Sequence, residues 1–320
     1  MIFSMKKAYV TGATGAIGMA LVAELLKNNT EVTVFLRRDS ERSSRISERF
    51  ERELGRGFLN LEYVRLEELA DFEKDADVQR GDSVFYHLGW SGTFGSLRND
   101  AGMQQKNVEY TLDAVRLAGR LGCSKFIGVG SQAEYGRAGT RLTPDTVTAP
   151  ENEYGRAKLD AGIKSRRLCG ELGIEHAWVR VLSVYGPYDG MNTMITSVIR
   201  GLLNGRRVPL TRGEQVWNYL YSEDAAKELY LLGEAMRDGA VYILAGHEEH
   251  SLREYVIRLC RTVGADEKLL GFGDVPYGAG QVMSLTADIS AVCCDTGYIP
   301  DTTFEDGIKK TTEWVKSLPE

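Results

Sequence analysis

Residues 11–18 read TGATGAIG, directly after the apolar run Ala8-Tyr9-Val10. Glycine recurs at every third position, as Gly12, Gly15 and Gly18, where a strand pattern gives way to a helical one. Missing side chains at such a junction can serve two ends. They relieve crowding between strand and helix, and they let a pyrophosphate approach the backbone N–H groups of a helix N-terminus. The context favours the second. A strand before, a helix after and a βαβ unit around them make this a dinucleotide phosphate cradle. Gly12, Thr14, Gly15, Ala16, Ile17 and Gly18 are therefore the first candidate cofactor contacts.

Outward from this stretch, strand patterns at 8–11, 31–36, 61–65, 83–88, 125–129 and 176–181 alternate with helical ones at 17–27, 99–121 and 154–172. Several strands are almost wholly apolar, as strands covered on both faces are. Repeating units of about 30 residues imply right-handed crossovers and an α/β fold, a doubly wound parallel sheet of the Rossmann kind. After Val181 the rhythm breaks at SVYGPYDG, where Pro187 and Gly190 interrupt the strand pattern. A helix at 191–203 and more irregular segments follow. The expected division is a dinucleotide-binding domain, 1–182 and 214–243, and a smaller interleaved C-terminal substrate domain, 183–213 and 244–320. Ligands of open α/β sheets sit at the carboxyl ends of the strands, so the small domain is expected to close over a substrate.

Composition excludes several classes. The 320 residues are 43% hydrophobic and 26% charged, enough for a large buried core. A formal net charge of -6 offers no basic field to nucleic acid. No apolar run approaches the roughly 20 residues of a membrane span. The start MIFSMKK lacks the apolar core of a secretion signal, and Met5 could serve as a second start. The five cysteines, Cys123, Cys169, Cys260, Cys293 and Cys294, are odd in number and irregularly spaced. They indicate neither a disulfide framework nor a zinc or other metal site, and a cytoplasmic setting is expected.

The end of the second strand speaks to cofactor type. An acid there binds the adenosine ribose hydroxyls of NAD, whereas arginine meets the extra phosphate of NADP. The stretch VTVFLRRDS brings Arg37 and Arg38 first and Asp39 afterwards. That order favours NADP(H) and leaves NAD(H) open. Arg42 and Arg45 show that the region is charged in any case.

In ENEYGRAKLDAG, Tyr154 and Lys158 are four apart and share a helix face. A free phenol, with a pKa near 10, is a poor acid–base catalyst at neutral pH; a nearby ammonium is expected to pull it down. Such a pair alone is common on amphipathic helices. It gains meaning because GVGSQAEYG ends the fifth strand and sets Ser131 at the strand's carboxyl edge.

TGATGAIG, the Ser131 strand end and YGRAK together resemble the extended short-chain dehydrogenase/reductase family, with its nucleotide-sugar epimerases, dehydratases and reductases. FYHLGW, RVLSVYGPYD, YLYSEDAA and the C-terminal CDTGYIPDTTFEDGIKKTTEW extend the likeness over nearly the whole chain. The resemblance implies three catalytic roles: Tyr154 as proton donor or acceptor, Lys158 as holder of the nicotinamide ribose, and Ser131 as partner of the reacting oxygen. It also implies cofactor contacts from Leu88, Gly89 and Asn107, and substrate contacts from Trp90, Ser91, Ser131, Gln132, Tyr154 and Trp217. His87, inside an apolar strand, reads as a satisfied core histidine.

Departures from the family narrow the chemistry. The 4,6-dehydratases carry an Asp-Glu pair directly after the catalytic Ser or Thr; here Gln132 and Ala133 stand there. Elimination would lack its acid and base. Trp217 occupies the position of an arginine that often contacts the substrate diphosphate, with Arg206, Arg207 and Arg212 as candidate substitutes. The leading expectation is reduction of a nucleotide-linked 4-keto-6-deoxyhexose. An epimerase with tightly held NAD+ and a non-enzymatic dinucleotide sensor are the alternatives, the sensor disfavoured by the Tyr–Lys pair. Family helices matching 99–121 and 154–172 form a dimer interface, and Val108, Leu112, Val115, Ala157, Ala161 and Ile163 suggest the same homodimer here.

Overall fold

The computed structural model describes residues 4–73, 81–278 and 280–318. Seven strands form the central sheet: β1 (Lys7–Thr11), β2 (Glu31–Phe35), β3 (Leu59–Glu62), β4 (Gly81–His87), β5 (Cys123–Ser131), β6 (Glu175–Val181) and β7 (Ala240–Leu244). Their order is β7-β6-β5-β4-β1-β2-β3, and every neighbouring pair is parallel. Alternate residues serve opposite faces. Val10 and Val34 join one core with Leu21 and Leu25, while Tyr9 and Phe35 join another with Val115 and Ala118. Both faces are thus closed by helices: α1 (Ala16–Lys27) and α4 (Ser222–Ala235) on one, α2 (Ala101–Arg120) and α3 (Glu153–Leu172) on the other. The doubly wound expectation holds.

The chain leaves β1 toward β2 on one side and returns to β4 on the other, so the strand order reverses beside β1. That reversal opens a crevice at the carboxyl edge, the usual ligand position in such sheets. His87, at the end of β4, is buried, with Nδ1 2.9 Å from the Thr11 hydroxyl and Nε2 3.2 Å from that of Thr111. Burial pushes its pKa down to about 3. It is the satisfied core histidine the sequence suggested.

Beyond Val181, strand Ser183–Tyr185 pairs with Tyr219–Tyr221, and helices Met194–Leu203, Leu252–Val263 and Phe304–Lys316 enclose a second core. Ile195, Val198, Ile199 and Leu202 line one face of their helix at the spacing that makes it amphipathic. Leu285, Ala287, Ile289 and Val292 differ from the expected division, since they pack into the large core rather than the small one. The short helix Ser290–Thr296 covers α4 and β7, which need an apolar lid at the sheet edge.

Two other readings are corrected. The edge strand lies at Leu59–Glu62, in register with Val32–Phe35, rather than at 61–65. A strand with one neighbour is half-buried, so its apolar pattern is blurred. Of the six residues offered for a dimer face, Val108, Val115, Ala157 and Ala161 are buried within the monomer. Val115 packs in the core with Tyr9, Phe85 and Phe126, and the other three cluster with Trp178 of β6; Ile163, 63% exposed, and the half-buried Leu112 remain.

Candidate active site

The crevice holds two adjoining cavities of about 420 and 360 Å³, which share Gly12, Arg42, Leu88 and Trp90 as walls. The glycine loop forms their floor. Gly12 has φ +74°, and a Cβ there would stand 2.6 Å from the Leu88 carbonyl carbon. A Cβ on Gly18 would stand 2.2 Å from the Gly12 oxygen. Nothing lies within 4 Å in front of Gly15, the N-cap of α1, and no side chain caps that end. Two glycines therefore permit strand and helix to approach, and the third leaves free N–H donors facing open space, which suits an anion.

The first cavity is walled by Gly12, Thr14, Leu88, Gly89 and Ser91, and by Arg37, Ser40, Arg42 and Ser43 from the segment after β2. Ser43 donates to the Arg37 carbonyl at 2.7 Å and holds that segment in a turn. Arg38, expected beside Arg37, instead lies 5.4 Å from the ring centre of Tyr63, and Asp39 pairs with Arg65 at 3.0 Å. Of the two adjacent arginines, Arg37 therefore lines the cavity and Arg38 does not. Ser40, Arg42 and Ser43 were not singled out from the sequence, although the serine- and arginine-rich run 37–45 carried the signal.

The second cavity is walled by Gly15, Ala16, Ile17 and Gly18 on one side and by Ser131, Tyr154 and Lys158 on another. Asn152 caps α3 by accepting from the Gly155 N–H at 2.8 Å, which sets Tyr154 in the first turn and Lys158 one turn later. A Cβ on Gly155 would lie 2.3 Å from the Ala133 oxygen, so the bare glycine lets α3 come up against the end of β5. Ser131 and Tyr154 both line the cavity there, and the Ser131 hydroxyl acts to lower the pKa of the phenol.

Electrostatics depart from the simple Tyr–Lys reading. Burial raises the Tyr154 pKa, outweighing the Ser131 hydrogen bond and the charge of Arg98. Lys158 donates to the Val129 carbonyl at 2.7 Å and lies 3.7 Å from the centre of the Trp90 ring, against 6.0 Å from that of Tyr154. Burial lowers its own pKa to about 7. Burial dominates both shifts, and the ammonium stands nearer Trp90 than the phenol ring.

Beneath Ser131 lies a group that the sequence reading missed. Glu134 accepts from the Ser131 N–H at 2.8 Å, from Trp178 Nε1 at 3.0 Å and from Arg180 Nε at 2.7 Å. Ser131-Gln-Ala-Glu134 is a capping box, the one legible trace of this role in sequence. Asp189, also unforeseen, lines the second cavity and takes the Gly190 N–H at 2.7 Å and the Thr193 hydroxyl at 2.9 Å. Its neighbour Tyr188 has φ +67°, uncommon for a bulky residue.

Four expected contacts stand off the cavity walls. Asn107 is buried and spends its amide on Ser91, accepting from its N–H at 2.8 Å and donating to its carbonyl at 2.9 Å. Trp217 Nε1 donates to the Ser183 hydroxyl behind Leu182 and Val184, which do line the cavity. Gln132 and Arg38 complete this group. Arg207 is tied to Asp274 at 2.8 Å and Arg212 to Glu214 at 3.5 Å. Among the described residues no group of three or more His, Cys, Asp or Glu side chains could hold a metal ion, and no helix is long and apolar enough to cross a membrane.

The profile of the NAD dependent epimerase/dehydratase family matches residues 8–245. The dTDP-glucose 4,6-dehydratase of Salmonella typhimurium is 24% identical over 342 residues, spanning 96% of this chain and 92% of that one. Among solved structures, UDP-glucuronic acid 4-epimerase from Bacillus cereus with NAD superposes with TM-score 0.81 at 21% identity, covering 97% of this chain and 96% of that one. A dTDP-glucose 4,6-dehydratase from Streptomyces venezuelae with NAD bound also gives 0.81, at 22% identity and 97% coverage of both chains.

Proposed function

Because the chain belongs to the NAD dependent epimerase/dehydratase family, we propose that it is an NADPH-dependent reductase of a nucleotide-linked 4-keto-6-deoxyhexose. The relatives are NAD-dependent enzymes of nucleotide sugars, which gives the substrate class. The observation that carries reduction over dehydration is the state of the carboxylates around Ser131. Gln132 and Ala133 cannot exchange protons with a sugar carbon, and Glu134 spends its oxygens on Ser131, Trp178 and Arg180. Asp189 is the one carboxylate among the described residues lining that cavity, and both its oxygens are engaged. An elimination has no acid–base pair to use.

The open face of Gly15 and the uncapped start of α1 fit a dinucleotide pyrophosphate. When bound, the reduced nicotinamide supplies a hydride. The chain's own residues do the rest: Ser131 and Tyr154 hold the carbonyl oxygen by hydrogen bonds, and Tyr154 passes its proton to the alkoxide that forms. Lys158 orients the nicotinamide ribose. Arg37 and Arg42, with Ser40 and Ser43, line the first cavity and suit the additional phosphate of NADP. That favours a reductase, which exchanges its cofactor at each turnover, over an epimerase, which recycles it.

The test is to purify the chain, identify any retained dinucleotide, and follow NADPH oxidation with a nucleotide-linked 4-keto-6-deoxy sugar beside an epimerisation assay on ordinary nucleotide sugars. Tightly retained NAD+ with epimerisation and no NADPH oxidation would overturn the reductase reading in favour of the epimerase.

A further inference from the structure

The cation nearest the Tyr154 ring is not Lys158. The guanidinium carbon of Arg98 lies 4.2 Å from the centre of that ring, against 6.0 Å for the Lys158 ammonium, which faces Trp90 instead. Trp90 meets Tyr154 edge-on with ring centres 6.1 Å apart. Lys158, Trp90, Tyr154 and Arg98 therefore form one row, two rings meeting edge to face with a cation at each end.

We propose that Arg98 is a positioning residue of the proton-transfer site, acting through Tyr154 by stabilising its phenolate from the ring face. The proposal rests on Tyr154 being the proton-transfer residue. When the Tyr154 O–H bond breaks and its proton bonds to the substrate alkoxide, the negative charge passes to the phenolate oxygen and ring. A cation over that face is drawn to the ring even before the charge arrives and more strongly afterwards. Guanidinium suits the task because it does not lose its proton, whereas burial brings Lys158 to about 7.

Arg98 is held in position. It sits in the short turn Gly95–Asn99, and its Nη1 donates to the Thr93 carbonyl at 3.1 Å. Gln104, buried on α2, donates to the carbonyls of Gly92 and Leu97 at 2.9 Å each and accepts from Trp90 Nε1 at 2.8 Å. One side chain thus fixes both the turn that carries the arginine and the tryptophan beside the tyrosine. Among the described residues, the other charged groups around Tyr154 are Lys158 on its own helix, Glu134 under the end of β5, and Asp189 and Arg42 in the walls of the same cavity. Glu134 opposes the phenolate and Arg98 favours it.

The test reads the phenol directly and needs no substrate. Difluorotyrosine, whose phenol ionises more readily than that of tyrosine, is incorporated at position 154 of the full chain, and its fluorine resonance is followed against pH. Replacing Arg98 by Gln should raise the ionisation of that phenol by about 1–3 pH units, the usual effect of an opposite charge at this range. Arg98→Lys, which keeps the charge, should restore most of it. An unchanged titration in folded Arg98→Gln protein, or a phenol that stays protonated throughout in both proteins, would overturn the proposal. The ordinary-tyrosine proteins are also assayed for NADPH oxidation. A shifted phenol without reduction of any keto sugar would leave the role of Arg98 standing and remove the reductase reading.

Discussion

Glu134 and Arg180 form an ion pair at 2.7 Å in which the carboxylate is wholly buried and the guanidinium side chain only 7% exposed. It lies directly under Ser131, whose N–H the same carboxylate accepts. A buried pair of this kind need not add net stability, but breaking it leaves a charge without a partner. Glu134→Ala should therefore cost about 3–5 kcal/mol in urea unfolding. The double replacement Glu134→Gln with Arg180→Met, which leaves no orphan charge, should recover much of that loss. Equal instability of the two would show that the pair's charge is not what matters.

Tyr154→Phe keeps the ring against Trp90 and Arg98 but removes the transferable proton. Fold and dinucleotide binding should survive, while turnover falls about 10²–10⁴-fold. The loss should appear in kcat, as for an interaction made in the transition state. Steady-state kinetics beside a circular dichroism spectrum check it.

Lys158 makes stability depend on pH in a definite direction. Its pKa is about 7 when folded, against 10.5 for the free side chain, because burial disfavours the charge. Below pH 7 both states carry the proton and the folded state bears the full penalty. Between about 7 and 10.5 the unfolded chain binds more protons, so this group's contribution to stability rises with pH. Lys158→Met removes the term. Its stability gain over the parent should be largest at pH 6 and smaller at pH 9, as denaturant midpoints at the two values would reveal.

Arg37→Ala should weaken NADPH binding by about 1–3 kcal/mol, the worth of a charge-assisted contact, and leave NADH little changed. Arg42→Ala should act in the same sense, since both guanidinium groups face one cavity. Arg38→Ala, whose side chain lies on Tyr63, should have little effect on either. Fluorescence titration of both cofactors separates these outcomes.

Ile163, exposed on α3, is the apolar residue left uncovered on the helix pair that the family resemblance assigns to a dimer. We expect a homodimer through α2 and α3, with Ile163→Glu shifting it toward the 35.5 kDa monomer. Light scattering at micromolar concentration reads both. A monomeric parent would end the expectation.

What was legible in the sequence is what local chemistry writes locally. TGATGAIG announces its own turn because Gly12 and Gly18 sit where a Cβ would strike backbone. The apolar strands of a two-sided sheet need no partner to be recognised, and Tyr154 and Lys158 share a helix face by spacing alone. By itself the sequence therefore determined the parallel α/β sheet and the strand–turn–helix junction at TGATGAIG, and it singled out Tyr154 and Lys158 as candidates for proton transfer. It blurred where burial is partial, as at β3, and where apolar residues on α2 and α3, such as Val108 and Val115, are buried within the monomer.

Only the tertiary structure decided the charge around Tyr154. Arg98 comes from a turn before α2, Trp90 from the end of β4 and Glu134 from beyond β5, and their positions follow from how α2 packs on α3 and how Gln104 pins the turn between them. The same packing takes Lys158 out of water and turns its ammonium toward Trp90. Spacing along a chain carries no record of desolvation or of which cation stands over which ring, because both depend on what other segments bring to the same few ångströms.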